Sequence, residues 1–226
     1  YSFQFASNSF ADVDGDSLTY SAQLTGGGAL PAWLSFDAAT RTFSGTPANG
    51  DVGTVNVTVT ADDGNGGTVS DSFAIVVANV EDEATGTLNV TGTAEEGGSL
   101  TASLTGATDP DGAITGTAYQ WQISSNGTDW TNISGATAAT YSLASDQSQV
   151  GQFVRVVATT TDALGGTTAF TSDSSVAIAN VNDAPTVANA IADQNATQDS
   201  AYSFQFASNS FADVDGDSLT YSAQLT

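Results

Sequence analysis

Aspartates at alternate positions form the sharpest chemical motif of this chain. They lie in the segment Asp12-Val13-Asp14-Gly15-Asp16, which recurs unchanged as Asp213-Val214-Asp215-Gly216-Asp217. Carboxylates at this spacing around a glycine turn suit a hard cation such as Ca²⁺, which takes about six to eight oxygen ligands. A reduced version occurs at Asp109-Pro110-Asp111-Gly112-Ala113. The motif predicts calcium binding at these turns, and the alternative is an acidic turn that holds no metal.

The charge balance favours cations as partners. The chain has 25 acidic residues and two basic ones, which gives a formal net charge of −23. Nucleic acids and anionic membranes repel such a chain, so we expect no nucleic-acid partner and no direct membrane contact. Lysine, histidine and cysteine are absent, which removes the usual bases and nucleophiles of enzymes. Composition leaves open a pair of glycosidase aspartates, but aspartates at metal spacing support it poorly, and we expect no enzyme.

The elements that must position these aspartates are β-strands. Residues 54–60 read Thr-Val-Asn-Val-Thr-Val-Thr, an unbroken alternation of apolar and polar side chains. Turn-forming clusters such as Asp-Gly-Asn-Gly-Gly at 63–67 separate such runs, and no stretch has sustained helical periodicity. The pattern predicts an all-β fold of tandem antiparallel β-sandwiches.

An exact repeat sets the domain organisation. Residues 1–25 and 202–226 are identical, 201 residues apart. Two similar endings, Ala-Asn-Val-Glu-Asp at 78–82 and Ala-Asn-Val-Asn-Asp at 179–183, follow valine-rich runs. We therefore predict a first sandwich at 1–81 that lacks its first strand and a different sandwich at 82–181. Residues 182–226 then supply the first strands of the next copy of the first type.

Several further motifs resemble known families. Asp12–Tyr20, Leu30–Asp37 and Phe43–Pro47 resemble the cadherin-like domain that also occurs in dystroglycan. Residues 121–130 and 133–137 are similar to the immunoglobulin-like repeats of giant bacterial adhesins. Together these motifs resemble the extender region of an RTX adhesin, a class of protein secreted by the type I system.

The resemblance implies a specific set of calcium ligands at the domain junctions. In cadherins, turn aspartates at the tip of one domain meet the linker and the end of the previous domain. The cadherin DRE motif is absent, and Asp51 lies near its place. Carried over to this chain, the resemblance implies that the ligands of the first junction are Asn79, Glu81, Asp82, Asp109, Asp111 and Asp162. The ligands of the second junction would be Asn180, Asn182, Asp183, Asp213 and Asp215. The free tip would have Asp12, Asp14 and Asp63. Asp16 and Asp217 complete the two full aspartate motifs.

The function that follows is structural. We expect a non-enzymatic spacer, stiffened by Ca²⁺, that projects an adhesive tip from a bacterial surface and so serves adhesion and biofilm formation outside the cell. The alternative is a calcium-dependent module that binds a glycan or a protein. For the tryptophans, core packing is the prediction and a sugar platform the alternative.

The expected partners are the neighbouring repeats of the same chain. Residues 186–226 present half a sandwich, whose open strand edges favour pairing with another chain. We therefore predict head-to-tail strand complementation between copies of this chain, and the alternative is that both copies of the repeated segment complete one sandwich.

Overall fold

The alternating segments form antiparallel strands, as the sequence predicts. The computed structural model describes residues 1–225, so Thr226, the last residue of the repeated segment and of the third predicted domain, lies outside them. The described residues contain strands, turns and two short 3-10 turns at Asn49–Asp51 and Gln147–Gln149. The fold class is therefore all-β, in tandem antiparallel β-sandwiches.

The chain forms two compact units. The first comprises residues 1–85, 107–116 and 160–168, and the second comprises 86–106, 117–159 and the residues from 169 onward. The first unit contains two three-stranded sheets, with orders β1-β4-β3 and β2-β5-β6. Their strands are β1 Ser2–Gln4, β2 Thr19–Leu24, β3 Leu34–Asp37, β4 Thr42–Gly45, β5 Gly53–Asp62 and β6 Thr68–Val77.

Aromatic side chains fill the space between these two sheets. Phe43 of β4 and Val57 of β5 are fully buried, and Phe43 stacks on Phe36 at 4.5 Å between ring centroids. Phe5 packs edge-on against Tyr20, 5.4 Å away. Burying each such side chain stabilises the fold by roughly 1.5–3 kcal/mol, so the two sheets are held by the apolar residues of the alternating pattern.

A second pair of sheets follows along the chain. One has the order β11-β8-β7 and the other β10-β9-β12-β13. All seven strands come from the middle hundred residues of the chain. Their bounds are β7 Thr85–Gly92, β8 Ser99–Thr108, β9 Gly116–Ser124, β10 Thr131–Asn132, β11 Thr140–Ser142, β12 Phe153–Thr161 and β13 Thr167–Thr171.

Trp121 is the centre of the core in the second unit. Its side chain has no exposed surface, and its indole N–H donates to the carbonyl of Ala138 at 2.9 Å. Tyr141 stacks on it with ring centroids 5.7 Å apart. Core packing, the predicted role of this tryptophan, agrees with its complete burial.

The other two tryptophans are half-buried, as strand-edge positions allow. Trp33 meets Tyr1 edge-on, with ring centroids 6.3 Å apart. The guanidinium carbon of Arg155 lies 4.4 Å from the ring centroid of Trp130. Each ring therefore has a packing partner within its own unit.

The second copy of the repeated segment forms far less regular structure than the first. Between residues 182 and 225 there is one two-residue pairing, in which β14 Thr186–Val187 lies antiparallel to β15 Phe211–Ala212. In the first copy, β1 and β2 pair with β4 and β5. Residues 203–205 and 220–225, which match β1 and β2, are not strands. A strand needs a hydrogen-bonded neighbour, so partners rather than sequence decide this difference.

No helix in the described part of the chain is long and apolar enough to cross a membrane.

Replacing Trp121 with alanine should lower the free energy of unfolding by about 3–5 kcal/mol, because a large buried side chain leaves a cavity. Denaturant unfolding followed by far-UV circular dichroism measures this. The matched control is Trp130→Ala, which should cost clearly less because that ring is half-buried. Equal losses in the two variants would contradict the central role of Trp121.

Candidate metal centres

Among residues 1–225, three groups of carboxylates come close enough together to hold a metal ion. In each group the ligand oxygens lie within 4.8 Å of one another. The first group, within the first unit, we call the first cluster, and the second group, within the second unit, we call the second cluster. The groups are Glu81 with Asp111 and Asp162, Glu96 with Asp183 and Asp215, and Asp213 with Asp215 and Asp217.

Backbone donors hold the carboxylates of the first cluster. Asp111 is only 6% exposed, and one of its oxygens accepts the backbone N–H of Asp82 at 2.7 Å. One oxygen of Asp162 accepts the N–H groups of Leu164 and Gly165. Asp109 accepts the N–H of Asp111 at 2.8 Å. These backbone N–H groups therefore fix the directions of the Asp109, Asp111 and Asp162 carboxylates.

Two buried oxygens of residues that the sequence predicts as ligands at the first junction have no hydrogen-bond partner among the described residues. They are Oδ2 of Asp162, whose residue is 3% exposed, and Oδ1 of the half-buried Asn79. A buried polar atom without a partner costs roughly 1–3 kcal/mol, and more when charged. Both atoms belong to residue types that Ca²⁺ prefers, so a cation here would satisfy them.

Glu81 brings its charge to the same place at an electrostatic cost. Loss of hydration raises the pKa of its carboxyl, and the negative charges of Asp162, Asp111, Asp109 and Asp82 raise it further. The carboxylate lies directly against Gly166, where a β-carbon would overlap it. Because Gly166 has no side chain, the Glu81 carboxylate can occupy this space.

The second cluster repeats this arrangement within the second unit. Asp215 accepts the backbone N–H of Asp183 at 2.6 Å, and Asp213 accepts that of Asp215 at 3.0 Å. Glu96 is 8% exposed, and its Oε1 has no partner among the described residues. The other oxygen of Glu96 accepts the N–H of Val181 at 3.3 Å. Here too a buried carboxylate oxygen faces a group of like charges.

An amide side chain reaches into each cluster. Asn49 Nδ2 donates to Asp82 at 2.8 Å and to Asp111 at 3.1 Å. Gln147 Nε2 donates to Asp215 at 2.5 Å, Asn180 at 2.6 Å and Glu96 at 3.3 Å. Each amide belongs to the first residue of a 3-10 turn that lies shortly before a long strand. The two clusters are thus alike in their acids and in this added amide.

The remaining predicted residues lie in local turns. Asp12 accepts the N–H groups of Asp14 and Asp16 at 2.9 and 3.0 Å. Asp63 accepts those of Asn65 and Gly67, and these bonds lower the pKa of its carboxyl. None of these four aspartates belongs to the three close groups of the described chain.

Asn182 and Asp217 also make local contacts. The amide of Asn182 donates to the carbonyl of Asp183 at 3.0 Å. The N–H of Asp217 donates to Asp213 at 3.3 Å. The second cluster and the third group share Asp215, and together they bring Asp183, Asp213, Asp215 and Asp217 close to one another. Asn180 joins them through the amide of Gln147.

Sequence reasoning missed Glu96, Asn49 and Gln147. Glu96 lies in the pair Glu95-Glu96, which stands far from every aspartate motif in sequence. Asp51, the residue closest to the place of the missing cadherin motif, instead caps its own turn by accepting the N–H of Ala48 at 2.9 Å. A shared signal was available, because Val-Gly follows both turns, at 52–53 and 150–151.

Gly166→Ala should weaken Ca²⁺ binding at the first cluster by about tenfold, the usual scale for disturbing an ion's surroundings. The added methyl group would push the Glu81 carboxylate away. The free energy of unfolding without metal should change by less than about 1 kcal/mol, because a flexible side chain can move aside. Isothermal titration calorimetry measures the affinity. Gly116→Ala, which adds its methyl group to open space, is the control, and equal affinities in both variants would refute this role for Gly166.

Two family models match different parts of the chain. The family described as "Putative Ig domain" (He_PIG) matches residues 1–78 and 184–226. A domain of unknown function (DUF8696) matches residues 84–183. No curated protein matches the chain.

Among solved structures, the crystal structure of titin domains A168–A170 is similar at 16% identity. The match covers 72% of this chain and 54% of the titin chain, so it spans about half the length of that structure. Its TM-score is 0.34, too low to carry an argument. Since the first family covers more than half of the residues, in the two regions that share the exact repeat, this chain belongs to the He_PIG family of immunoglobulin-like domains.

Proposed function

We propose that this chain is a calcium-stiffened spacer of a bacterial surface adhesin. In this proposal the immunoglobulin-like domains are tandem structural repeats and catalyse no reaction. The finer identity, an RTX adhesin whose cadherin-like and immunoglobulin-like domains alternate, rests on the sequence resemblance. The observation that carries the proposal is the recurrence of one cluster design in two compact units.

The recurrence extends to individual hydrogen bonds. In the first cluster the carboxylate of Asp111 accepts the N–H of Asp82, and in the second the carboxylate of Asp215 accepts the N–H of Asp183. Asp82 ends Asn-Val-Glu-Asp at 79–82, and Asp183 ends Asn-Val-Asn-Asp at 180–183. Two different sandwich sequences would not keep the same acidic arrangement for packing alone, because like charges destabilise it.

Electrostatics favours a divalent cation as the missing partner. Two unit charges about 4 Å apart repel by roughly 4 kcal/mol at the effective dielectric of a protein surface. The chain has only two basic residues against 25 acidic ones. One of them, Arg155, donates a hydrogen bond from Nε to Oε1 of Gln122 at 2.7 Å. A bound Ca²⁺ would replace repulsion by attraction and satisfy the unpartnered oxygens.

Cation binding would stiffen the chain by joining segments that are remote in sequence. The first cluster connects residues 79–82 to turns at 109–111 and 162, all within the first unit. Nearby, the N–H of Ala84 already donates to the Thr168 hydroxyl at 2.8 Å in a buried position. An ion bound to all three segments would restrict residues 79–82, which the sequence marks as a linker.

The cluster chemistry also supports a location outside the cell. Extracellular calcium modules bind their ions at roughly 10⁻⁴–10⁻³ M. Such sites fill in seawater or in host fluids and stay empty in the bacterial cytosol. We therefore propose that the chain acts on the bacterial surface after secretion, where it holds an adhesive region away from the cell.

Chelation tests the stiffening directly. Small-angle X-ray scattering in Ca²⁺ should give a larger maximum dimension and a less flexible profile than scattering in EDTA. Titration calorimetry on the same sample establishes whether the ion binds at all. Identical scattering despite measured binding would remove the stiffening role, and the absence of binding would remove the whole proposal.

Asp162→Asn should have opposite effects with and without the ion. It keeps one oxygen for the N–H groups of Leu164 and Gly165 and replaces a charge by a neutral amide. In EDTA the melting temperature should rise because repulsion falls. In Ca²⁺ it should fall below that of the unaltered chain, because bound ligand stabilises by about 2.7 kcal/mol at a hundred times Kd. Asp129→Asn, at an exposed turn, should show neither change, and a parallel shift in both conditions would count against the site.

We also propose that copies of this chain associate head to tail through residues 186–225. Phe206, Phe211 and Tyr221 form an aromatic group with centroids 5.1–5.8 Å apart. The matching group in the first copy packs against Phe36, 6.2 Å from Phe5. In the second copy the group instead borders an open groove of about 390 Å³, which Ile191 also lines. Strands of a second chain that complete this sandwich would cover the groove.

Sedimentation velocity over a range of concentrations tests this association. The sedimentation coefficient should rise with concentration, and Ile191→Ser should reduce the rise because it removes apolar surface from the groove. Val80→Ser, at an exposed position outside the groove, is the control. A chain that stays monomeric at high concentration would exclude the association and leave the calcium proposal intact.

A further inference from the structure

Two amide side chains donate hydrogen bonds to carboxylates of the clusters. Gln147 Nε2 lies within hydrogen-bond distance of oxygens from three different segments, belonging to Glu96, Asn180 and Asp215. Asn49 Nδ2 lies similarly between Asp82 and Asp111. Several oxygens that converge on one partially positive N–H₂ group resemble the surroundings of a bound cation.

Rotation of each terminal amide by about 180° would exchange its donor N–H₂ group for its acceptor oxygen. A terminal amide has two donors on nitrogen and an acceptor oxygen on the same carbon. Without a metal, the N–H₂ group relieves repulsion among the carboxylates by donating to them. With a divalent ion among these oxygens, the N–H₂ group would be repelled, and rotation about the last torsion would present the oxygen instead. Amide oxygens are established ligands of Ca²⁺.

We infer that Gln147 at the second cluster and Asn49 at the first each supply an amide oxygen to the bound ion. The inference rests on the proposed function, because it extends the ligand set of the same two sites. At the second cluster the amide would join Glu96, Asn180, Asp183, Asp213 and Asp215. With carboxylates binding through one or both oxygens, this set meets the coordination that Ca²⁺ requires.

The unpartnered carboxylate oxygens support a ligand at these places independently of the amides. Oε1 of Glu96 and Oδ2 of Asp162 belong to residues that are 8% and 3% exposed, and neither atom has a hydrogen-bond partner among the described residues. An amide acting only as a hydrogen-bond donor leaves both atoms unsatisfied. An ion that draws in the amide oxygen also satisfies these buried atoms.

Asn49 and Gln147 occupy equivalent positions in two unlike sequences. Each lies at the start of a 3-10 turn, whose last residue is followed directly by Val-Gly and a long strand of the core. The turns are pinned by their own acids, since Asp51 accepts the N–H of Ala48 and Asp146 that of Ser148. The first residue of the turn is thereby held at the cluster, and its side chain spans the remaining distance.

Alanine substitution separates the two possible roles by the sign of the effect. If the amide oxygen binds the ion, Gln147→Ala should weaken Ca²⁺ binding at one class of site by about tenfold or more in titration calorimetry of the 226-residue chain. If the amide only donates in the metal-free cluster, its loss leaves the carboxylates less stable without the ion, and Ca²⁺ affinity should stay equal or increase. Equal or tighter binding overturns the inference.

Terbium luminescence supplies a readout that a merely structural role would not move. Tb³⁺ replaces Ca²⁺ at oxygen sites, and its decay in H₂O and D₂O reports the number of bound waters. Gln147→Ala should increase that number, because water takes the vacated position, and Asn49→Ala should do the same at the first cluster. An unchanged number in both variants would also overturn the inference.

Matched controls distinguish ligand loss from disturbance of the turn. Gln152 donates to the carbonyl of Ser148 in the same turn at 2.8 Å without reaching the acids, so Gln152→Ala should keep the affinity. Asn89 lies on an exposed strand, and Asn89→Ala serves in the same way for Asn49. If the unaltered chain binds no Ca²⁺, the proposed function itself fails. If it binds and the alanine variants bind equally well, only this inference fails.

Discussion

Repulsion among carboxylates that the backbone forces together is the constraint on which this structure depends. The N–H groups of Asp82, Leu164 and Gly165 fix the directions of the Asp111 and Asp162 carboxylates, and the aspartate turns do the same around Asp215. The chain has only two basic residues, and the printed donors to these clusters are neutral backbone and amide N–H groups. The cores supply the cohesion of each unit, while the clusters concentrate the negative charge for which we propose an external cation.

Local interactions could be predicted from sequence, and the identical segments show why the rest could not. Asp12 and Asp213 form the same turn in both copies, accepting N–H groups two and four residues ahead. The aromatic group also recurs, since Phe5 and Tyr20 lie 5.4 Å apart and Phe206 and Tyr221 lie 5.1 Å apart. The strands do not recur, because pairing depends on distant segments that identical local sequence does not encode.

The candidate site residues also fall into those that local sequence predicts and those that only the fold brings together. Turn aspartates such as Asp111 and Asp215 stand out in the sequence because their spacing itself suits a cation. Glu96 and Gln147 have no such spacing and reach the second cluster only through the fold. The contrast between Asn49 and Asp51 is instructive, since the acid caps its own turn while the neutral amide reaches the cluster. Charge alone was therefore a poor guide to which residue of this turn faces the site.

The dependence of the first strands on later ones sets a kinetic order. Tyr20 lies opposite Ala61 and Phe3 opposite Phe43, so neither pair can form until some forty further residues are available. Contacts of this range close slowly, whereas the aspartate turn and its aromatic neighbours need only their own segment. In a growing chain, the local contacts of the aspartate turn and of Phe5 with Tyr20 can therefore form before the sheet does. A different sandwich separates the two identical segments in sequence. The first segment can therefore pair with strands of its own domain before the next copy is available, which limits the misassembly to which repeated domains are prone.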